Sequence, residues 1–412
     1  MVRQTTRDLR RQNRAALLSS LYLRGPISRL DLVAESGLSA ATVTNVVADL
    51  IGDGVVAEAG SVESDGGRPR TLLAVRAEFG NVIGVDVSET HVEVGLFDCT
   101  LSTLGTVRHP LVGTRLDPLE VAGLIRTGIG EVLTGTDPDT VFGVGIGVPG
   151  AVRDGGVVHA PTLGWQGVEF ADMLHPHIAQ LFVPGPSPRP RPGGKHPWTP
   201  QIPRVHLDNR ARTLGQAEMW LGAGRGAERA VVALLGVGVG AAFAMAGSSI
   251  TTSEWGHTVV RAAGAACRCG SHGCLEAYVG TEAVVRTYAE RVGVEPVIGD
   301  ESDAELAAIV ARATPPGPAA DVLAETGEYL GIGIANLINL LSPDRVVLSG
   351  SAGAIMGPAI LPAVRDAVGR HALGYLAGRT EVVLGQLGPE AVALGAATLP
   401  IALLLAAGGR IG

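Results

Sequence analysis

Three cysteines and a histidine crowd one short segment, Cys267-Arg-Cys269-Gly-Ser-His272-Gly-Cys274. Thiolates spaced by glycines can bend around one ion, and thiolates with an imidazole are a ligand set typical of zinc. His257 or His272 can supply the fourth ligand. Catalytic zinc usually keeps an open position and fewer sulfurs, so the segment predicts structural zinc. The alternative is three unrelated buried cysteines.

Carboxylates flank this segment on both sides. Glu254 precedes it in Glu254-Trp-Gly-His257, and Glu276 follows it closely. Two carboxylates and a histidine tethered to one metal-bound loop would form a rigid polar pocket suited to hydroxyl-rich ligands. The alternative for each carboxylate is a solvated surface group.

Three short helices are predicted near the N-terminus. Apolar spacing favours the first over Asn13–Leu23. A capping box at Ser28–Asp31 begins the second, and Gly37 ends it. Ser39 caps the third, Ala40–Ile51. Its predicted inward side chains are Val43, Val46, Val47 and Leu50.

The outer face of the third helix is small, polar and uncharged, which is typical of a recognition helix. Strands over Val55–Ala59 and Leu72–Val75 predict a wing with Gly66-Gly67-Arg68-Pro69 at its turn. The glycines would let the backbone approach DNA closely, and Arg68 could enter a minor groove. The alternative is that Arg68 is a solvated turn residue. The residues predicted to contact DNA are Ser39, Ala41, Thr42, Thr44, Asn45, Gly67, Arg68, Arg70, Arg11 and Arg14.

Charge is unevenly distributed along the 412 residues, whose net charge is −8. Residues 1–80 carry ten arginines and nine acidic residues, whereas the remainder carries 22 basic and 31 acidic residues. This balance excludes a uniformly basic nucleic-acid coat, and it suggests a partner held at one end. Five arginines form a basic N-terminal arm: Arg3, Arg7, Arg10, Arg11 and Arg14.

No segment predicts secretion or a membrane span. The N-terminus lacks the apolar stretch of a signal peptide. Ala230–Ile250 is uncharged, but its glycines favour a strand, a turn and a second strand, while Leu394–Gly409 is short for a span and contains Pro400. We therefore expect a cytoplasmic protein.

The rest of the chain alternates strands and helices, which predicts an α/β body. Apolar strands followed by glycine turns recur along it, as expected for two similar lobes. Pro184–Pro203 contains eight prolines and is predicted to be an irregular insertion. The predicted elements include strands at Asn81–Asp86, His91–Asp98, Val141–Val148, Val231–Leu235 and Arg345–Leu348, and a helix at Tyr329–Leu341.

Taken together, these motifs closely resemble the ROK family of repressors, open reading frames and sugar kinases. The resemblance rests on Gly256-His257 ahead of Cys-x-Cys-Gly-x-x-Gly-Cys-x-Glu, on Asn336-Leu-Ile-Asn339 and on Val346-Val-Leu-Ser-Gly-Ser351. It implies an actin-like, two-lobed fold of the sugar-kinase type behind the winged helix-turn-helix, with His257 as the fourth zinc ligand. Sugar-contacting positions fall on Asn209, Glu254, His257 and Glu276, and on Thr162, where the family usually has asparagine.

The resemblance also implies a division of the chain. Residues 1–76 form the DNA-binding domain, and residues 81–205 form the small lobe with the insertion 184–203. Residues 206–385 form the large lobe with the zinc site. Residues 386–412 form a C-terminal helix that returns to the small lobe.

Both phosphate turns depart from the family kinases. Kinases carry Asp-x-Gly-Gly-Thr in the first turn, where this chain has Asp86-Val-Ser88-Glu89-Thr90. Side chains replace both glycines, and the Glu89 carboxylate would repel phosphate. The second turn, usually Gly-Thr-Gly, has Val237 in the middle and so lacks a hydroxyl donor.

The catalytic position departs as well. Family kinases carry an Asn-Asp pair whose aspartate deprotonates the sugar hydroxyl, and here the pair is Asn209-Arg210. Arginine stays protonated and cannot act as a base, so we predict no kinase activity. A slipped alignment that makes Asp208 the base is the alternative. Arg210 could bind a sugar 6-phosphate, or it could pair with Asp208 or Glu254.

The sequence therefore predicts a sugar-responsive transcriptional repressor, with structural zinc and no catalytic residues. It would bind an inverted-repeat operator as a homodimer or a tetramer and sense a sugar or sugar phosphate. Two alternatives stay open: a sugar kinase with a DNA-binding head, and a constitutive regulator that has lost ligand binding.

Overall fold

The computed structural model describes residues 6–64, 67–113, 115–182, 189–190, 197–198, 202–245 and 250–410. The N-terminal part is a helical unit with a three-stranded sheet of order β1-β3-β2. Its elements are α1 (Thr6–Arg24), β1 (Ile27–Ser28), α2 (Arg29–Ser36), α3 (Ala40–Gly52), β2 (Val56–Ser64) and β3 (Gly67–Val75).

The predicted helix signals operate as expected in this unit. The Ser28 side chain accepts a hydrogen bond from the backbone N–H of Asp31, Gly37 ends α2 in the left-handed region, and Ser39 accepts from the N–H of Thr42. Such caps satisfy donors and acceptors that a helix end leaves unpaired. The four side chains of α3 that were predicted to face inward, three valines and one leucine, are buried.

One helix and both wing strands of this unit are longer than predicted. α1 begins at Thr6 instead of Asn13. Arg10, in the added turns, forms an ion pair with Asp49 of α3 and so ties these turns to that helix. The wing strands extend through the predicted polar turn. Their outer parts are mostly exposed and polar, so no apolar alternation marks them in the sequence.

The first five-stranded sheet of the described body has the order β13-β7-β4-β5-β6. A meander of β4, β5 and β6 is antiparallel, and β7 and β13 add to β4 in parallel. The elements here are β4 (Asn81–Val87), β5 (His91–Asp98), β6 (Thr103–Pro110), α4 (Pro118–Val132), β7 (Val141–Val148), β8 (Ala151–Arg153), β9 (Val157–Ala160), β10 (Trp165–Glu169), α5 (Phe170–Ala179), β11 (Arg189–Pro190), β12 (Pro197–Trp198), β13 (Arg204–Asn209) and α6 (Arg210–Trp220).

The second five-stranded sheet repeats this topology with the order β16-β15-β14-β17-β18. Again an antiparallel meander is followed by two parallel strands. The elements are β14 (Arg229–Leu235), β15 (Val239–Met245), β16 (Thr251–Ser253), α7 (Glu276–Val279), α8 (Thr281–Val292), α9 (Ser302–Ala311), α10 (Pro318–Leu341), β17 (Arg345–Ser349), α11 (Ser351–His371), α12 (Gly374–Ala377), β18 (Glu381–Leu384) and α13 (Ala391–Ala406).

The repeat confirms the prediction of two similar lobes in an α/β body. It also makes the β4–β5 turn and the β14–β15 turn equivalent positions of the two sheets. The insertion 184–203 lies mostly outside the described residues. In its described part, β11 and β12 pair as antiparallel strands, whereas the sequence analysis predicted an irregular segment.

Helix α13 packs directly on the first sheet. A Cβ on Gly84 of β4 would lie 1.9 Å from the carbonyl oxygen of Ala393, and one on Gly145 of β7 would lie 1.8 Å from that of Ala396. Only glycine permits so close an approach of helix and strand. The other end of α13 joins the N-terminal unit, because Ile401 and Leu405 share one apolar core with Leu17 of α1.

The two uncharged segments considered as spans are parts of this fold. Residues 230–245 lie in β14, in β15 and in the turn between them, and residues 394–406 lie in α13. Within the described ranges, no helix combines the length and the apolar character that crossing a membrane requires.

Candidate functional site

The three cysteines of the sequence motif lie together with one histidine. His257, Cys267, Cys269 and Cys274 each offer a ligand atom, and these atoms lie within 4.8 Å of one another. Sγ of Cys267 is 3.6 Å from Nδ1 of His257, and Sγ of Cys269 is 3.8 Å from Sγ of Cys274. His272 is exposed and lies outside this group. Three sulfurs and one nitrogen at this spacing fit a closed tetrahedral zinc site.

Local structure holds the four donors in place. His257 ends a 3₁₀ turn that begins at Trp255, and the indole N–H of Trp255 donates to the carbonyl of Gly333 in α10. In the cysteine loop, the N–H of Cys267 donates to Ser271 O, and Gly273 has a φ of +77° with Arg261 O only 1.8 Å from a Cβ built on it. Glycine is therefore required where the loop folds back.

Arg210 lies buried beside the first sheet. Its Nε and Nη2 donate to both carboxylate oxygens of Asp86 at 2.6 and 2.8 Å, and its Nη1 donates to Glu89 at 3.2 Å. The alternative prediction, that Arg210 pairs with Asp208 or Glu254, was wrong. The pair forms with Asp86 because α6 begins opposite the end of β4. The hypothesis that Arg210 binds a sugar phosphate loses its basis, since two carboxylates already hold this guanidinium.

Glu89 continues the contact to the cysteine loop. Its carboxylate accepts from Nη2 of Arg268 at 3.4 Å, and Nε of Arg268 donates to Glu276 at 2.8 Å. The other oxygen of Glu276 accepts from the N–H of Val239 at 2.9 Å. We call the resulting alternation of acidic and basic residues the charge chain; it consists of Asp86, Arg210, Glu89, Arg268 and Glu276.

The charge chain joins the two equivalent turns of the repeat. Glu89 lies in the β4–β5 turn, and a Cβ on Gly238 in the β14–β15 turn would lie 2.8 Å from its Oε1. The same Cβ would lie 3.2 Å from Nη2 of Arg268. The sequence did not single out Arg268, because an arginine between two cysteines carries no signal of its partners.

The predicted sugar contacts have different environments. Asn209 caps α6 through its Oδ1 and donates from Nδ2 to the carbonyl of Gly150 at 2.6 Å. Glu276 is buried in the charge chain, whereas Glu254 is exposed. Thr162 lies in a separate turn of the first lobe, and its Oγ1 is buried without a hydrogen-bond partner among the described residues.

The alternative base, Asp208, already has partners. Its carboxylate accepts from the N–H of Asn209 at 2.8 Å and pairs with Arg212 at 3.4 Å, one helical turn away. Burial raises the pKa of Asp208 above its ordinary value, and the bond from Asn209 opposes this rise. The side chain is thus held against α6.

An acidic cluster behind Arg210 was not foreseen. Glu93 lies opposite Asp86 in the β4–β5 ladder. Burial raises the pKa of Glu93 to about 7, and the neighbouring charges of Asp86 and Glu390 act in the same direction. A lone glutamate in a predicted strand gives no sign of such an environment, because its neighbours come from distant parts of the chain.

The predicted DNA-contacting face of α3 is accessible. Ser39, Ala41, Thr44 and Asn45 are exposed, and Thr42 is half-buried. Arg11 is also exposed, and the Arg70 side chain is 49% exposed. Two of the predicted residues lie outside the described ranges: Arg3 and Gly66. For Arg7, Gly67 and Arg68 only the backbone is described.

Arg14 contradicts the prediction of a DNA contact. Its side chain is only 7% exposed and pairs with Asp53 at 2.6 Å. Its Nε donates to the carbonyl of Gly408, just beyond α13. The helical phase of α1 turns Arg14 inward, so this residue of the predicted basic arm links the N-terminal unit to the end of the body.

Comparison with known proteins gives matches to the ROK family. The ROK family model matches residues 201–402. A xylose repressor of Caldicellulosiruptor bescii is 26% identical, and the alignment covers 96% of this chain and 97% of the repressor. A glucokinase of Halalkalibacterium halodurans is also 26% identical, but the alignment covers 76% of this chain and 92% of the kinase.

A solved structure matches over nearly the whole fold. It is the crystal structure of a ROK family transcriptional regulator described as a homologue of the Escherichia coli MLC protein. The TM-score is 0.72 at 22% identity, and the alignment covers 97% of this chain and 98% of that chain. The likeness confirms the predicted fold class.

Proposed function

We propose that the chain is a member of the ROK family and acts as a sugar-responsive, DNA-binding transcriptional repressor of carbohydrate or amino-sugar genes, as its matches to the family model and to a xylose repressor support. The buried ion pair of Arg210 with Asp86 is the main observation against kinase activity. Arginine follows Asn209 where a family kinase has its catalytic aspartate, and a guanidinium held by a carboxylate cannot accept the proton of a sugar hydroxyl.

DNA binding is assigned to residues 1–76. The exposed polar face of α3 would enter the major groove, with Arg11 and Arg70 placed for phosphates and Gly67 and Arg68 at the wing. A homodimer would present two such faces to an inverted repeat. Residues 81–205 and 206–385 would form the two lobes, and residues 386–412 the returning helix.

Structural zinc would hold the cysteine loop. His257, Cys267, Cys269 and Cys274 leave no open position for a reacting ligand, which favours a structural role. The loop carries Arg268 and leads into Glu276, so bound zinc would fix one end of the charge chain.

A sugar would bind beside this loop. We assign its contacts to Asn209, Glu254, His257, Glu276 and Thr162. The unpartnered hydroxyl of Thr162 supports this assignment, because a buried hydroxyl normally has a hydrogen-bond partner that a ligand could supply.

Sugar and DNA would be coupled through α6 and α13. Both helices run from the region of the charge chain to the N-terminal unit, where Trp220 at the end of α6 packs on Tyr22 and the segment after α13 binds Arg14. Sugar-dependent movement of these helices would reposition the two DNA-binding units, so sugar and DNA would oppose each other by linkage.

Selection from a random duplex DNA library tests this proposal. We expect an enriched inverted repeat, bound by the zinc-loaded protein and released by at least one sugar of a panel containing xylose, glucose, glucosamine and N-acetylglucosamine. Coupled detection of ADP with the same sugars should give no turnover. Sugar-dependent ADP release that Asp208→Asn abolishes would replace the repressor with the kinase alternative.

A further inference from the structure

Glu89 occupies a position that suits a bound anion. Its two oxygens are shared between Nη1 of Arg210 at 3.2 Å and Nη2 of Arg268 at 3.4 Å. The Glu89 side chain is 9% exposed. A carboxylate flanked by two guanidiniums and largely withdrawn from water is an anion held by charge-assisted hydrogen bonds.

The same carboxylate fills the junction of the two equivalent turns. Family kinases have glycine at the position of Glu89, and the side chain here projects from the β4–β5 turn onto Gly238 of the β14–β15 turn. With Oε1 of Glu89 only 2.8 Å from a Cβ position on Gly238, a phosphate group has no room between these turns. The Glu89 side chain therefore excludes a phosphate group by its volume as well as by its charge.

The surrounding charges oppose a second anion. Arg210 already has Asp86 and Glu89 as partners, and Arg268 has Glu89 and Glu276. Three carboxylates face two guanidiniums, so the charge chain is net negative before any ligand arrives. An added phosphate would have to displace a resident carboxylate and leave it without its cation, which is costly at such burial.

We propose that Glu89 is a built-in substitute for phosphate. It closes this subsite to nucleotides and to phosphorylated sugars, and it restricts the effector to an uncharged sugar. The identity of the effector as a sugar rests on the proposed function, whereas the occupation of the subsite by Glu89 does not. This inference reverses the sequence-based expectation of a sugar 6-phosphate.

Calorimetric titration with pyrophosphate tests the occupation directly. We expect the full-length wild-type protein to give no saturable heat, and Glu89→Ala to bind pyrophosphate at least about tenfold more tightly than wild type. The double variant Glu89→Ala/Arg268→Ala should lose this gain, because one guanidinium is removed. Glu290→Ala, which removes an exposed carboxylate of α8, is the matched control and should behave as wild type. Glu89→Ser provides a smaller polar replacement if the alanine variant fails to fold.

Thermal shift with glucose and N-acetylglucosamine, each against its 6-phosphate, tests the ligand class. A parent sugar should raise the Tm of the wild type and its phosphate should not. A 6-phosphate that binds the wild type more tightly than its parent sugar would overturn the inference, as would sugar binding with no pyrophosphate gain in either Glu89 variant. A pyrophosphate gain with no sugar response would support the role of Glu89 and count against the proposed function.

Discussion

Tyr22 of α1 packs edge-on against Trp220 of α6, with ring centroids 5.9 Å apart and 65° between the ring planes. α6 begins at Arg210, inside the charge chain, and ends at Trp220, so one helix of 11 residues joins that chain to the N-terminal unit. A rigid helix with a specific contact at each end can transmit a small displacement between them. The Tyr22–Trp220 contact is thus the natural point at which to interrupt communication.

Trp220→Leu should weaken the coupling between sugar and DNA. The aromatic contact is worth about 1 kcal/mol beyond its buried area, so the protein should stay folded with a lower Tm. The ratio of the DNA Kd with sugar to that without sugar should fall toward unity, as measured by fluorescence anisotropy. Tyr375→Leu, at an exposed tyrosine of α12, is the control. If the ratio of the two Kd values is unchanged in Trp220→Leu, α6 is not the element that couples sugar binding to DNA binding.

Arg14 and Arg11 should separate stability from DNA binding. Arg14→Ala breaks a largely buried ion pair with Asp53 and frees the carbonyl of Gly408, so unfolding should become easier by about 2 kcal/mol. Arg11→Ala should leave the Tm unchanged and reduce the slope of log K against log salt by about 0.9, the loss of one phosphate contact. Denaturant titration and salt-dependent anisotropy measure the two effects. Equal effects of both variants on the salt slope would restore Arg14 as a DNA contact.

Removal of one ligand should release the metal. Cys274 is fully buried in the four-donor group, so Cys274→Ser should abolish the bound zinc seen by elemental analysis and lower the Tm. Cys99→Ser replaces a buried cysteine outside the group and should leave the zinc content unchanged. Full zinc retention in Cys274→Ser would contradict the assignment of the ligands.

Glu93 should make stability fall with rising pH. Burial raises its folded-state pKa from 4.5 to about 7, so its favourable contribution is complete below the unfolded value and is lost as pH rises through the folded one. Glu93→Gln should therefore raise the free energy of unfolding by about 2 kcal/mol at pH 8 and have little effect at pH 5. Denaturant unfolding at both pH values measures this, with Glu290→Gln as the surface control. A variant that is less stable than wild type at pH 8 would show that the ionised carboxylate is stabilised.

Much of the architecture follows from local signals. The caps at Ser28 and Ser39, the turn at Gly37 and the apolar face of α3 depend on residues a few positions apart, so the sequence predicts them well. The group of four candidate metal ligands is also nearly local, since three of the four lie within one loop. The choice of His257 over His272 as the fourth ligand depends on the family resemblance, because both histidines are close enough in sequence to reach the cysteines.

Side-chain partners across the fold could not be predicted in this way. Arg210 is far from Asp86 in the chain, and only the meeting of α6 with the end of β4 brings them together. Arg14 lies in a basic stretch, yet the phase of α1 buries it against Asp53 and Gly408. Arg268 gave no signal at all. Each error concerns a charged residue whose role depends on which distant residue it faces, and residue type and spacing do not contain that information.

The central claim is that sugar binding controls DNA binding without chemistry on the sugar. Its most direct test is the equilibrium Kd of the zinc-loaded, full-length protein for its selected inverted repeat, measured with and without saturating effector sugar and without nucleotide. We predict a Kd that increases at least about fivefold with the uncharged sugar, within the usual range of allosteric coupling. A Kd that stays the same with every sugar and changes only when ATP is added would contradict the account.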